Sequence, residues 1–357
     1  MRIIMRAAPL MVAMVLISSA HPLPAVAVPV RPQAPASTAA PAQPPATSDP
    51  AASAQPTTTA QPTTTAQPTT TAQPTAPADP TTPGTHARTL TMPTFNWLIR
   101  EKWERRYLLH VPERRRGGPP PLVIALHGGL DDSAYIQKQS GLDAVADRHG
   151  FVVAYPDGFV RTWNAGGCCS FARLAGVDDV AFIDELIATL VREKLADPRR
   201  IYLTGFSNGG GMAYRYVCER PDRVAAIGVV SGALATLCPK RPKVSLLAFH
   251  GTSDFSVPYN GGGNMDFDVK VPFLPVQTVV DIWRRLAALP ALSHNYFNKA
   301  ATSCLSTGRA LTEVALCTVT GGGHEWPTPT RTAGVEGTEM LWSFFAAHPR
   351  PAGQTTP

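Results

Sequence analysis

The 357-residue sequence predicts an α/β domain, a mostly parallel central sheet with helices on both faces. Three observations predict it. Apolar runs of strand length alternate with amphipathic stretches from about residue 106 to residue 348. Runs such as "PLVIALHG" (121–128) and "VSLLAFHG" (244–251) are continuously apolar, as strands buried on both faces are. The stretch "VDDVAFIDELIATLVREKL", Val177 to Leu195, begins with acids and ends with bases, as the helix macrodipole favours.

The ends of the chain read differently. Residues 1–27 have the form of a secretory signal peptide, with Arg2 and Arg6, an apolar stretch and then small residues. Cleavage fits after Ala20 or after the "AVA" ending at Ala27, and leaves no stable membrane insertion. Residues 28–87 are rich in Pro, Thr, Ala and Gln and include the repeated hexad "AQPTTT". With almost nothing apolar to bury, this segment is expected to be a disordered, extended linker. Residues 88–350 are expected to form the catalytic domain and 351–357 a disordered tail.

Within the domain the expected order begins with strands at Arg106–Pro112 and Pro121–Gly128, a helix at Ile136–Arg148 and the strand "FVVAYPDG". After the Val177–Leu195 helix come the strand "RIYLTGF", a helix over about Asn208–Glu219 and the strand "VAAIGVVSG". Then follow "VSLLAFHG", a helix around Val276–Leu289, the strand "EVALCTVTG" and a last helix over Glu336–His348. In such sheets reactive groups collect at the carboxyl ends of the strands.

Six cysteines fall in this domain behind a signal peptide, which favours disulfides over metal ligation, and no CxxC or HExxH spacing argues for zinc. Cys304 and Cys317 flank an expected β-hairpin and are expected to pair. The adjacent Cys168 and Cys169 are expected to bond separate partners, with Cys218 and Cys238 as the candidates. The formal net charge of +6 includes the loop run "ERRRGG", but no aromatics interleave with a basic stripe, so nucleic acid is not an expected partner.

Chemistry is concentrated at "YLTGFSNGGG". Gly205-Phe206-Ser207-Asn208-Gly209 fits G-x-S-x-G at a strand-to-helix junction, where both glycines are needed because a β-carbon would collide with neighbouring backbone. Ser207 is the candidate nucleophile, and the Asn208 N–H at the helix N-terminus is a candidate oxyanion donor. The acid expected next along the chain is Asp254, in "FHGTSD" after a buried strand; Asp266, Asp268 and Asp281 follow no such strand. The base is expected to be His324 in "TGGGHEWP", in a loop made flexible by Gly321 to Gly323, rather than His294 or His348. The second oxyanion donor is expected at Gly129 after "ALHG", with Leu130 as the alternative and His127 as a structural group. Trp163 and Trp326 either stack on substrate or pack at the rim, while Asp178 and Asp179 are expected to cap a helix.

On "PLVIALHG", "WNAGGCC", "VDDVAFIDELI", "DPRRIYLTGFSNGGGMAYRYVCERPDRVAAIGVVSG", "HGTSDFSVPYNGG" and "GGGHEWP", residues 106–348 resemble the secreted polyhydroxybutyrate depolymerase-like and feruloyl esterase-like proteins. The resemblance implies the α/β-hydrolase fold, a Ser207–Asp254–His324 triad and a Cys304–Cys317 pair. Residues 263–303 are longer than a compact member of that family would need.

The expectation is a secreted, periplasmic or cell-surface serine carboxylic ester hydrolase acting through an acyl-enzyme, with no metal or organic cofactor. Its substrate would be an ester linked to a polysaccharide or a polyester. A secreted acyltransferase with a sugar hydroxyl as acceptor, or a non-catalytic surface binding protein, are the alternatives. Oligomeric state is not encoded in any of these motifs.

Overall fold

The strands are β1 (Gly84–Met92), β2 (Trp103–Val111), β3 (Leu122–Leu126), β4 (Val152–Pro156), β5 (Ile201–Phe206), β6 (Ala226–Val230), β7 (Ser245–Gly251), β8 (His294–Lys299), β9 (Thr302–Ser306) and β10 (Val314–Val319). Between them lie α1 (Ser133–Ser140), α2 (Leu142–His149), α3 (Ser170–Leu174), α4 (Asp179–Arg192), α5 (Asn208–Glu219), α6 (Val276–Leu286) and α7 (Gly337–Ala347). This computed structural model describes residues 81–93, 102–114, 117–266 and 270–351, within the compact unit Ala72–Pro357. The signal peptide, all of the expected linker before residue 81 and the tail beyond residue 351 lie outside the described residues.

The strands form one sheet in the order β1-β2-β4-β3-β5-β6-β7-β10-β9-β8. From β4 through β10 every neighbouring pair is parallel, and two antiparallel strands extend each edge. The continuous apolar runs occupy the middle, where β3 to β7 are buried at every residue. Successive side chains still divide between two faces. Leu122, Ile124 and Leu126 of β3 join the cluster under α4, α5 and α6, while Val123 and Ala125 join the one under α1, α2 and α7.

Several elements depart from the sequence expectation. The helix expected over Ile136–Arg148 is two helices, because Gly141 adopts φ 61 and returns its N–H to Gln137 O, ending α1. β1 begins at Gly84, inside the segment read as linker, and pairs with β2 along its whole length. Arg88 on β1 makes two 2.7 Å hydrogen bonds to the Glu193 carboxylate after α4. Only one face of this edge strand is sheltered, so its Thr, Arg and His content hid it among polar linker sequence. The long region 263–303 supplies α6 and the outer strand β8, so it widens the sheet rather than forming only a loop.

The cysteine pairing also differs. Cys304 and Cys317 face each other in the β9–β10 ladder and are bonded, as the hairpin predicted. Cys168 and Cys169 do not reach separate partners; they are bonded to each other, and Cys218 is bonded to Cys238. The Cα atoms of Cys218, in the last turn of α5, and Cys238 are 4.4 Å apart. The Gly166–Gly167 segment instead docks on Ala235 and Thr236, where the Gly167 N–H donates to Ala235 O at 2.6 Å. Peptide mapping without reduction should therefore recover a 218–238 link and a 304–317 link. A peptide joining Cys168 or Cys169 to Cys218 or Cys238 would contradict this arrangement.

Candidate active site

β5 ends at Phe206 and α5 starts at Asn208, leaving Ser207 alone to make the turn. It does so at φ 53 and ψ −118, a conformation that costs a non-glycine residue about 1–3 kcal/mol. The strain is held from both sides. The Ser207 N–H donates to Val230 O at 2.9 Å, and its carbonyl accepts from the Gly211 N–H at 3.0 Å. A β-carbon on Gly205 would strike the backbone of Gly209, and one on Gly209 would strike the carbonyls of Leu126 and His127. The elbow is therefore pressed directly onto the end of β3, with Ser207 half-buried at the surface.

That contact brings two amides together. The Asn208 side chain makes a two-point pair with the backbone of Trp163, accepting from its N–H at 2.7 Å and donating to its carbonyl at 2.9 Å. The Asn208 Cβ lies 3.7 Å from where a β-carbon on Gly129 would stand. Neither the Gly129 nor the Asn208 N–H meets a protein acceptor among the described residues. Leu130, the alternative donor, is engaged elsewhere: its N–H donates to Arg161 O at 2.7 Å. His127 is structural, as expected; its Nδ1 donates to Gly128 O at 2.7 Å and its Nε2 accepts from the Gly158 N–H at 2.9 Å. Burial pushes its pKa down, which keeps it neutral in that role.

Asp254 and His324 come from loops after β7 and β10, which are parallel neighbours. The His324 Nδ1–H donates to Asp254 Oδ2 at 2.8 Å. The other carboxylate oxygen accepts from the N–H groups of Ser256 and Val257 at 2.9 and 2.8 Å. Burial opposes the charge on Asp254, but the hydrogen bonds from His324 and Val257 outweigh it, so its pKa is lowered. The buried His250 donates from Nε2 to Val257 O at 2.8 Å, 3.5 Å from Asp254 Oδ2.

The glycine loop before His324 is not the flexible segment that its composition predicts. Thr252 N–H donates to Val319 O and Ser253 N–H to Gly322 O, each at 2.9 Å, while Thr252 Oγ1 accepts from the Gly321 N–H at 2.8 Å. A β-carbon on Gly251 would collide with the carbonyls of Gly322 and Gly323. Gly251 is therefore the glycine that the close approach of the two loops requires. His324 reaches the elbow through Phe206, whose ring centroid is 4.7 Å from its own. The Ser207 hydroxyl makes no hydrogen bond to a protein group among the described residues. Such contacts in unliganded sites are commonly long and close when substrate binds.

Trp163 and Trp326 are not substrate platforms. Both indoles are fully buried; Trp163 Nε1–H donates to His127 O at 3.0 Å and Trp326 Nε1–H to Thr338 Oγ1 at 2.9 Å. The exposed apolar groups next to the site are Leu130, 63% exposed, and Phe255, 84% exposed, each one residue beyond Gly129 and Asp254. Nothing in their residue type marked them; their position after a motif residue was the available signal. Asp131 was also missed, a carboxyl whose pKa burial pushes up and which interacts with His324. Asp178 caps α4 by accepting from the Ala181 N–H at 2.9 Å, but Asp179 does not share that role and pairs with Arg105 at 2.9 Å.

A family model described as esterase PHB depolymerase matches residues 106–239. "Putative esterase NocK" of Nocardia uniformis subsp. tsuyamanensis is 31% identical over 253 residues, covering 63% of this chain and 72% of that protein. The chain belongs to the esterase PHB depolymerase family. Feruloyl esterase B of Piromyces equi is 30% identical over 220 residues, and there the match covers 57% of this chain but 39% of that relative. An acetyl xylan esterase from Aspergillus awamori superposes with a TM-score of 0.53 at 16% identity, covering 73% of this chain and 99% of that one. That likeness is of fold, and it is the α/β-hydrolase fold of this esterase family.

The lowered pKa of Asp254 fixes a pH dependence for this family member. A carboxylate whose folded pKa lies below its unfolded one stabilises the fold above the unfolded value, and loses that contribution as pH falls through the folded value. Asp254→Asn keeps the size but turns an N–H₂ or a neutral oxygen toward the His324 Nδ1–H. The variant should be about 2 kcal/mol less stable near neutral pH. In urea titrations the gap should close as pH is lowered past the ordinary aspartate range; a gap that does not change with pH would contradict the assignment.

Proposed function

We propose that the protein is a secreted serine carboxylic ester hydrolase with Ser207 as nucleophile, His324 as general base and acid, and Asp254 as the group that orients and charge-balances the imidazole. The observation that carries this reading is the 2.8 Å Asp254–His324 hydrogen bond, held by stitched loops beside a strained serine elbow. With Nδ1 donating to Asp254, the His324 Nε2 is left as the acceptor for the serine proton. Attack on the ester carbonyl puts negative charge on its oxygen. The Asn208 and Gly129 N–H groups, with no other acceptor to satisfy, are the donors for that charge. His324 then returns the proton to the leaving alcohol, and water repeats the sequence on the acyl-enzyme.

The substrate class proposed is an ester of an aromatic or short acyl group carried on a plant or microbial polymer. A relative named feruloyl esterase supports the aromatic acyl group. Leu130 and Phe255 offer apolar contact beside the site, and both Ser207 and His324 are reachable from solvent, as an ester on a bulky chain requires. Secretion accords with the bonded cysteines, since disulfides persist in oxidising compartments.

Hydrolysis of methyl ferulate, acetylated xylan, hydroxybutyrate oligomers and p-nitrophenyl acetate by the mature protein tests the reading. At least one ester of the panel should turn over, and Ser207→Ala should abolish both turnover and labelling by an organophosphonate. Undiminished hydrolysis by Ser207→Ala would sink it. Asn208→Ala leaves the amide in the chain but removes its clamp on Trp163. It should lower kcat by about tenfold, less than the 10²- to 10³-fold loss typical of deleting an oxyanion donor outright. A change confined to KM would argue against an oxyanion role for that amide.

A further inference from the structure

The outer hairpin and α7 enclose a cleft of about 800 Å³ that contains neither Ser207 nor His324. Its lining includes Tyr296 and Phe297 of β8, Met340 of α7, Arg309, and Glu313 just before β10. Two consecutive strand residues would normally face opposite sides of a sheet. Here a register shift between Asn295 and Phe297 turns both aromatics toward α7. Tyr296 lies 6.3 Å from the Phe344 ring, and Phe297 packs beside Met340 on Val335 and Ala333. Bulges of this kind re-aim side chains, and this one lines a cleft with two rings.

Glu313 is the unusual member. It is 2% exposed, and its Oε2 stands 3.4 Å from His348 Nε2. Its Oε1 has no hydrogen-bond partner among the described residues. Burial opposes its charge, but hydrogen bonding with His348 and Ser306 outweighs burial and lowers its pKa, so it is an ionised acceptor. A buried acceptor left without a donor costs about 1–3 kcal/mol, and native proteins rarely keep one without cause. The Tyr296 phenol, whose pKa is pushed up by burial and by the charge of Glu313, lines the same cleft.

The charge in the cleft is balanced. Glu339 is occupied outside the cleft by Arg148 and His149, leaving Glu313 and Glu336 opposed by Lys299 and Arg309. An ionic ligand of either sign would leave part of this set uncompensated. A purely apolar one would bring no donor to Glu313 Oε1, which is already shut off from water. A neutral chain with both apolar faces and hydroxyl donors suits the two rings and the unpartnered Glu313 Oε1 without adding charge.

We propose that this cleft is a second binding site, taking a neutral oligosaccharide with a sugar ring against Tyr296 and a hydroxyl donated to Glu313 Oε1. The volume lies in the range of small-molecule sites, and the cleft follows β8 from His294 to Lys299, a path suited to an extended chain. The inference does not depend on the role of Ser207.

Affinity electrophoresis of the full chain through gels containing arabinoxylan, hydroxyethylcellulose or glycogen tests it and distinguishes β-linked from α-linked glycans. At least one of the three should retard the wild type and Ser207→Ala equally. Tyr296→Ala and Arg309→Ala should bind that glycan about tenfold more weakly, the loss expected when an aromatic contact or a charged donor is removed. Both variants should keep the wild-type thermal unfolding transition, which shows that they fold. Glu313→Gln, checked by thermal unfolding, should weaken binding in the same direction. No retardation by any of the three glycans, or full retardation of Tyr296→Ala, would overturn the proposal. Glycan binding without ester turnover would instead count against the hydrolase reading alone.

Discussion

The carboxyl edge of the sheet is organised by one close approach, the first turn of α5 against the carbonyls that end β3. Backbone lies on backbone there, and no side chain fits between Gly209 and the Leu126 and His127 carbonyls. The consequence is geometric. The first helical amide, at Asn208, is brought beside the Gly129 turn, and Ser207 is forced into a conformation that its own residue type disfavours. The strained residue is held by hydrogen bonds to Val230 and Gly211, so the local cost is borne by the sheet and helix around it.

Behind this contact stands a buried layer that fixes the Trp163 segment. Arg105 on β2 donates to the Asp179 carboxylate and to Asp157 O, both at 2.9 Å, while Asp179 also accepts from the Asn164 N–H at 2.8 Å. The guanidinium carbon sits 3.9 Å from the Phe182 ring centre, so its face is covered by an aromatic ring. Burial pushes the Asp179 pKa up and the Arg105 pKa down, so neither charge would be tolerated there without the other. Removing one partner of such a pair commonly costs about 3–5 kcal/mol. Asn164, anchored by this layer, follows Trp163, whose backbone N–H and carbonyl hold the Asn208 side chain. The Asn208 side of the site is thus tied to the first strands of the sheet.

Asp254 and His324 are tied together separately. Parallel pairing of β7 and β10 sets their loops side by side, and the hydrogen bonds of Thr252 and Ser253 to the glycine turn fix the spacing before either side chain acts. A run of glycines reads locally as a flexible linker, yet here hydrogen bonds hold Gly321 and Gly322 to the loop after β7, which comes close because Gly251 has no β-carbon. Composition gives the capacity for both outcomes, and only the neighbouring strand selects one.

The sequence by itself determined the order of the central strands and helices and the G-x-S-x-G elbow, because continuous apolar runs and tight glycine turns are local properties. It also indicated Asp254 and His324 as loop residues after buried strands, and the Cys304–Cys317 pair as hairpin neighbours. The tertiary structure alone decided the rest. The edge strands β1 and β8 exist because they find partners, not because their polar residues favour extended chain. Cys218 meets Cys238 through the packing of a loop on the end of α5, which no spacing rule contains. Trp163 and Trp326 look alike in sequence to ligand-stacking indoles, and only the solid contact on every side of them shows that they are core. Local chemistry is written in the order of residues; which surface remains open is set by elements far apart in the chain, whose contacts form only when the whole sheet has closed.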